Sequence, residues 1–236
     1  MKITFKVHPF FYIFAFICII TGYFKNFLII SFIIIFHETG HIIASILFNW
    51  KIDRVILLPF GGITIFNEYI NRPLKEEFII AITGPLFQSI LFLIDNNLFR
   101  TYNLYLFIFN LIPIIPLDGS KILNIFLNKF LPFKMSHIVS IIISFISLSL
   151  IFFIKFNLII YIALIILFIK SFKELIEHNY LFNKFLLERY MNNFKFYKSK
   201  IVSDKIYMKR DYKHLFKINN KYIEESVFLL KLFDKS

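Results

Sequence analysis

The chain reads as an all-α polytopic membrane protein of about six transmembrane helices, with a small β-hairpin at the cytosolic face and a short basic C-terminal tail. Three observations carry that expectation. Of 236 residues, 58% are hydrophobic, 18% are charged and 34 are Phe, and the mean hydropathy is +0.71. A soluble domain of this size has too little interior to hide that much apolar side chain. Nearly uncharged runs follow one another up to Lys170, and the loops between them alternate between rich and poor in Lys and Arg. Disorder, collagen-like repeats and a simple soluble globule are thereby excluded.

The elements follow from the uncharged runs. Span 1 covers residues 9–24. Lys2 and Lys6 precede it as in a signal peptide, but Thr21-Gly22-Tyr23-Phe24 is a poor cleavage site, so an uncleaved span is expected. Span 2 covers residues 27–50 and holds one carboxylate, Glu38. In the polar segment that follows, two short β-branched runs, 52–58 and 63–66, flank Pro59-Phe60-Gly61-Gly62. They predict a β-hairpin at the membrane face. It is either a plain structural loop or a sheet edge, at Gly61 and Gly62, that accepts an extended substrate strand. Span 3 covers residues 78–94 and ends in the turn Asp95-Asn96-Asn97; span 4 covers 102–117 and ends at Asp118-Gly119. Spans 5 and 6 cover 135–154 and 156–169, with a tight turn at Lys155. From Ser171 the chain begins helically through Phe172, Leu175 and Ile176, and after Tyr190 it becomes rich in Lys, Asn and Tyr. The domain division is thus a six-span body over 1–170 and a basic tail over 171–236.

Charge sets the orientation. With the N-terminus in the cytosol, the inside segments hold Lys2, Lys6, Lys51, Arg54, Arg72, Lys75, Lys121, Lys129, Lys134 and the tail; the outside loops hold only Lys25, Arg100 and Lys155. Positive charge marks the cytosolic side, so a multi-pass protein of a bacterial cell membrane with both termini in the cytosol is expected. The net charge is +12, of which the residues from Lys170 onward carry +7. A basic tail beside a bilayer reads as attracted to anionic lipid, and no nucleic-acid partner is expected. The single cysteine, Cys18, excludes an intrachain disulfide and any Cys-based zinc module.

The chemistry lies in span 2, at His37-Glu38-Thr39-Gly40-His41. On a helix, residues four apart share a face, so two imidazoles at this spacing can bind one zinc ion at about 2.0–2.1 Å. The adjacent Glu can take a proton from water and pass it to a leaving amine, while zinc polarises the scissile carbonyl. A carboxylate in mid-span costs roughly 2.5–3.5 kcal/mol on insertion scales, which makes Glu38 a functional candidate. The plainer alternative is a His–Glu cluster that packs helices, carries protons or metal, or binds a partner without catalysis. A zinc protease needs a third protein ligand and an open position. Asp95, Asp118, His8 and His137 are the candidates near span ends, and Asp118 has the best surroundings. Pro113 and Pro116 break span 4 just before it, and Gly119 permits close backbone approach.

His37, Glu38 and His41, followed later by Leu117-Asp118-Gly119, resemble the site-2 proteases, the intramembrane zinc metalloproteases. The resemblance extends to their bacterial sporulation branch, typified by stage IV sporulation protein FB, through His8-Pro9, Leu57-Leu58-Pro59-Phe60-Gly61-Gly62, Thr83-Gly84-Pro85 and the stretch from Asn110 to Pro116. It implies Zn2+ held by His37, His41 and Asp118, Glu38 as catalytic base and then acid, and Asn110 and Pro116 shaping substrate binding. Thr83-Gly84-Pro85 reads as helix packing with a kink. The resemblance also implies a membrane-associated protein substrate such as a pro-sigma factor, and membrane inhibitor proteins. Members of that branch carry a C-terminal CBS domain; 46 residues follow Tyr190, so no complete CBS domain is expected here.

Overall fold

The computed structural model describes residues 4–58, 61–153, 158–192, 194–196, 198–218 and 221–234. It divides into two units: residues 1–68, 78–112 and 117–119 form the first, and residues 69–77, 113–116 and 120–236 form the second.

The first unit begins with β1 (Thr4–Val7) and α1 (Pro9–Ile20). His8 caps α1, its Nδ1 accepting from the Phe10 N–H at 3.3 Å. Pro9 takes the first helical position, where a missing N–H has no consequence. α2 (Phe24–Leu47) follows, then β2 (Ile52–Leu58) and β3 (Gly61–Phe66). α3 (Leu74–Ile90) continues into a 3-10 turn at Leu91–Leu93, and α4 (Asn97–Leu111) is capped by Asn96, which accepts from the Phe99 N–H at 3.0 Å. Leu91 and Phe99 pack on Ile33 of α2 in one buried cluster; Ala44, Trp50 and Ile80 form another.

Among the described residues, three helices are long and apolar enough to cross a membrane: Phe24–Leu47, Leu74–Leu93 and Phe133–Phe152. The 24 residues of α2 rise about 36 Å, more than a hydrocarbon core of about 30 Å.

The predicted hairpin is present and belongs to a larger sheet. β2 and β3 pair antiparallel from Ile52↔Phe66 to Leu58↔Gly61, with an irregularity at Ile52/Arg54. β1 adds parallel to the other side of β2, from Thr4↔Arg54 to Val7↔Leu57. Four residues carry no periodicity long enough to announce a strand; pairing with β2 makes this one. The tip residues Pro59 and Phe60 lie outside the described residues.

The end of span 4 also differs from expectation. The helix stops at Leu111, not at residue 117, and a new helix, α5 (Asp118–Phe130), starts at Asp118. Pro113 and Pro116 cannot donate to a helical ladder, so the intervening segment is irregular. Within the second unit, serines of α6 (Phe133–Phe152) and α7 (Leu158–Met191) satisfy its backbone. Ser144 Oγ accepts from the Ile115 N–H at 3.0 Å, Ser171 Oγ donates to the Ile115 carbonyl at 3.2 Å, and the two hydroxyls lie 2.9 Å apart. Backbone groups at membrane depth need partners of this kind. α7 continues well past Lys170, so the apolar span and the start of the tail are one helix. The expected tight turn at Lys155 lies outside the described residues.

Beyond α7 the tail forms β4 (Ser199–Val202), β5 (Lys213–Ile218), β6 (Lys221–Glu224) and α8 (Glu225–Phe233). β5 is central, parallel to β4 and antiparallel to β6. Val202, Met208, Phe216 and Leu229 pack with Phe133, Phe182, Phe185 and Leu186 in one buried cluster. The last turns of α7 thus supply the core that some sixty residues could scarcely build alone. Arg189 of α7 is buried; its guanidinium donates to Glu225 at 2.7 Å, to Asn71 at 2.7 Å and to the Tyr212 carbonyl at 2.9 Å.

Candidate metal centre

His37 and His41 lie one turn apart on α2, both facing inward and both buried, at a point where α3 and Asp118 converge on the same face. His37 Nε2 is 2.8 Å from Asp118 Oδ2; His41 Nε2 is 3.0 Å from that oxygen and 3.1 Å from His37 Nε2. His37, His41 and Asp118 are the group of three potential metal ligands found among the described residues, with donor atoms within 4.8 Å of one another.

The outer edge of each imidazole fixes its tautomer. His41 Nδ1 is 2.8 Å from the Ile80 carbonyl of α3, which can only accept. His37 Nδ1 is 2.9 Å from Gln88 Oε1. The Gln88 amide is oriented by its other end, where Nε2 donates to the carbonyl and Oδ1 of Asn103 at 3.1 and 3.2 Å. Both Nδ1 atoms therefore carry hydrogen, and in a neutral ring both Nε2 atoms present lone pairs. Two lone pairs and a carboxylate oxygen facing one another in a buried site call for a cation between them. Two imidazole nitrogens and one carboxylate oxygen are a zinc donor set that leaves a fourth position open. Bonds of about 2.0–2.1 Å around a tetrahedral ion set its ligands about 3.3 Å apart, so a small outward relaxation accommodates it. The residues present fit zinc.

Two glycines allow this packing. A Cβ at Gly84 of α3 would fall on the His41 ring, and a Cβ at Gly62 of β3 on the Glu38 carboxylate. Glu38 is buried beside the imidazoles, and Thr64 Oγ1 donates to its Oε2 at 2.7 Å. Gly119 lies against the Leu111 and Ile112 carbonyls.

The structure thus brings His37, Glu38, His41, Asp118 and Gly62 together. Gly61 starts β3 with open space at its Cβ position. Asn110 is half-buried near the end of α4, and Pro116 follows a cis peptide bond two residues before Asp118. The other candidate ligands are occupied elsewhere: His8 caps α1, Asp95 is exposed and 3.9 Å from Arg100, and His137 lies 3.4 Å from Glu174. Sequence reasoning missed Gln88, Asn103, Thr64 and the Ile80 carbonyl. Gly84 was legible only as packing; its four-residue spacing from Gln88 and from Ile80 was the available signal, one face of α3 turned to α2.

Residues 25–95 match peptidase family M50. The chain is 36% identical over 202 residues to stage IV sporulation protein FB of Bacillus subtilis, covering 78% of this chain and 70% of that one. It is 33% identical over 112 residues to a zinc metalloprotease of Methanocaldococcus jannaschii, covering 41% and 32%. Among solved structures, the site-2 protease from Methanocaldococcus jannaschii superposes with a TM-score of 0.58 at 26% identity, covering 74% of this chain and 91% of that one.

Proposed function

The chain belongs to peptidase family M50, and from that premise we propose that it is an intramembrane zinc endopeptidase of the site-2 type, cutting a membrane-associated regulatory protein near the cytosolic face. The observation that carries the proposal is the convergence of His37, His41 and Asp118 beside Glu38 on a helix apolar enough to cross a bilayer.

His37, His41 and Asp118 would hold the zinc, with Ile80 and Gln88 aiming the two imidazoles. When bound, zinc acts as a Lewis acid toward the scissile carbonyl and acidifies water. Glu38 takes a proton from the attacking water and hands it to the departing amine nitrogen. Thr64 engages Oε2, which leaves Oε1 as the oxygen for proton transfer. The absence of a side chain at Gly62 brings β3 close to that carboxylate. Among the described residues β3 is bonded to β2 on one side only, and a substrate unwound to an extended strand would add to its other side. Asn110 and Pro116 would shape the approach of that strand.

Six spans are proposed: α1, α2, α3 with its 3-10 turn, α4, α6 and the first part of α7. α1 and α4, at 12 and 15 residues, fall short of the hydrocarbon thickness, and local thinning can accommodate them. Both termini face the cytosol in a multi-pass bacterial protein, residues 1–170 carry catalysis, and residues 171–236 form a basic cytosolic tail. The similarity to stage IV sporulation protein FB supports a pro-sigma factor as substrate and membrane proteins as inhibitors.

The test is co-expression with a pro-sigma factor. Glu38→Gln keeps its zinc and loses cleavage by at least about 100-fold, the lower range for a positioned acid–base group. Cleavage that persists in Glu38→Gln refutes catalysis at this site. Metal or proton flux that depends on Glu38, without any cut, points to a carrier instead.

A further inference from the structure

Gln88 and Asn103 are fully buried amides on two helices of the membrane body, α3 and α4. Uncharged amides at that depth are costly unless they bond one another or a functional group. Here they do both. Asn103 offers two acceptors, its backbone carbonyl and Oδ1, and both receive from Gln88 Nε2. Oε1 of Gln88 therefore points the other way, at His37 Nδ1, 2.9 Å off. Asn103 Nδ2 has no hydrogen-bond partner among the described residues. A buried donor is thus left unsatisfied in a pair whose other side-chain polar atoms bond within the pair or to the imidazole of His37.

We infer that the Gln88–Asn103 amide pair is a positioning device for the metal centre: Asn103 fixes which end of Gln88 faces His37, and Gln88 fixes the His37 tautomer that leaves Nε2 unprotonated toward Asp118. This rests on the reading of His37 as a zinc ligand. An amide turned the other way would present Nε2 to Nδ1 and drive the proton onto the metal-facing nitrogen, where it blocks ligation. The orientation is written into α4, about one helix removed from the ligands themselves. Groups that hold the far nitrogen of a ligating histidine typically change metal affinity by about 10–100-fold.

The readout is zinc affinity, measured on detergent-purified full-length protein by competition with a chromogenic chelator, with gel filtration to select monodisperse material. Gln88→Met keeps the length of the side chain and removes the acceptor; its affinity is expected to fall about 10–100-fold. Gln88→Glu as the neutral acid keeps an acceptor toward Nδ1 and an O–H that donates to the Asn103 carbonyl where Nε2 did, so its affinity equals or exceeds that of the parent. Asn103→Leu leaves one of the two acceptors, and its loss falls between parent and Gln88→Met. Parent affinity in Gln88→Met overturns the inference. If that variant is not recovered monodisperse, the remaining two decide: Asn103→Leu weakened with Gln88→Glu at or above parent supports it, and any other pattern overturns it. His37→Ala separates the two levels. If it retains parent affinity, the metal reading itself has failed; if it loses zinc while Gln88→Met does not, only the positioning role has.

Discussion

Replacing Gly84 by Ala adds one methyl group to a helix that already contains Pro85, and helix propensity alone predicts a gain of about 1 kcal/mol. The packing predicts the opposite. The new carbon would overlap Nε2 of His41 and lie 2.5 Å from Cε1 and 2.8 Å from Cδ2. Carbon atoms in contact sit about 3.5–4.0 Å apart, so the ring must recede by about 1 Å. It is tethered at Nδ1 to the Ile80 carbonyl at 2.8 Å, on the same helix that carries the new methyl, and so cannot move without losing that bond. An error of about 1 Å at a reacting centre costs on the order of 100-fold in rate, or about 2.7 kcal/mol. The assay pairs elemental zinc analysis of the purified variant with cleavage of a co-expressed substrate. Both should drop together while the protein still elutes as the parent does. A Gly84→Ala protein with stoichiometric zinc and cleavage within about twofold of the parent would show that His41 does not lie against α3 as described.

Three other outcomes follow from particular contacts. Thr64→Val removes the hydroxyl that donates to Glu38; a bond to a charged group contributes about 1.5–3 kcal/mol, so cleavage should slow roughly tenfold or more at unchanged zinc content, and an unchanged rate would show that Thr64 plays no part. Arg189→Met strands the Glu225 carboxylate in the tail core; breaking a buried pair costs about 3–5 kcal/mol, and limited proteolysis should then cut after α7 under conditions where the parent resists. The tail should also loosen in mild acid. Burial pushes the His214 imidazole below its ordinary 6.5, and Arg189 and Lys200 add to this against the pull of Glu225. Its Nε2 accepts from the Lys209 N–H at 3.0 Å, which only the neutral ring can do. Below about pH 6.5 the unfolded tail therefore binds more protons than the folded one, and stability falls with pH. Glu225 acts later in the same direction: burial would raise its carboxyl, but the His214 hydrogen bond and the Arg189 charge outweigh that and leave it below 4.5. Its contribution is present above about 4.5 and fades as pH drops through the lower folded value. Hydrogen exchange at β5 between pH 7.5 and 5 checks this, and protection that holds steady or rises on acidification contradicts it.

The residues that converge at the candidate metal centre were legible because the pattern is local. Two histidines and a glutamate within one turn declare themselves in any helix, and a charge inside an apolar run has few bland explanations. Asp118 was legible through its company of prolines and glycine, though the helix boundary was misplaced by six residues, at 117 instead of Leu111, because an apolar run persists where the prolines have already ended the helix. What stayed hidden is non-local. β1 exists only because β2 lies beside it. The tail strands are short and Lys-rich, and their burial depends on Phe133, Phe182 and Phe185 far back in the chain. Gln88 and Asn103 are ordinary amides until their positions across two helices are known.

The sheet beside Glu38 has one further consequence. Among the described residues, β1 covers the flank of β2 that faces away from β3. On the proposal that substrate pairs with the free edge of β3, that edge admits one strand at a time, and main-chain pairing is indifferent to side-chain identity. Any extended peptide that lodges there should therefore compete with substrate, whatever its letters. Discrimination among clients would then reside in how readily each one unravels from a helix beside β3, which makes helix-breaking residues near the scissile bond, more than a consensus motif, the feature to seek in a client.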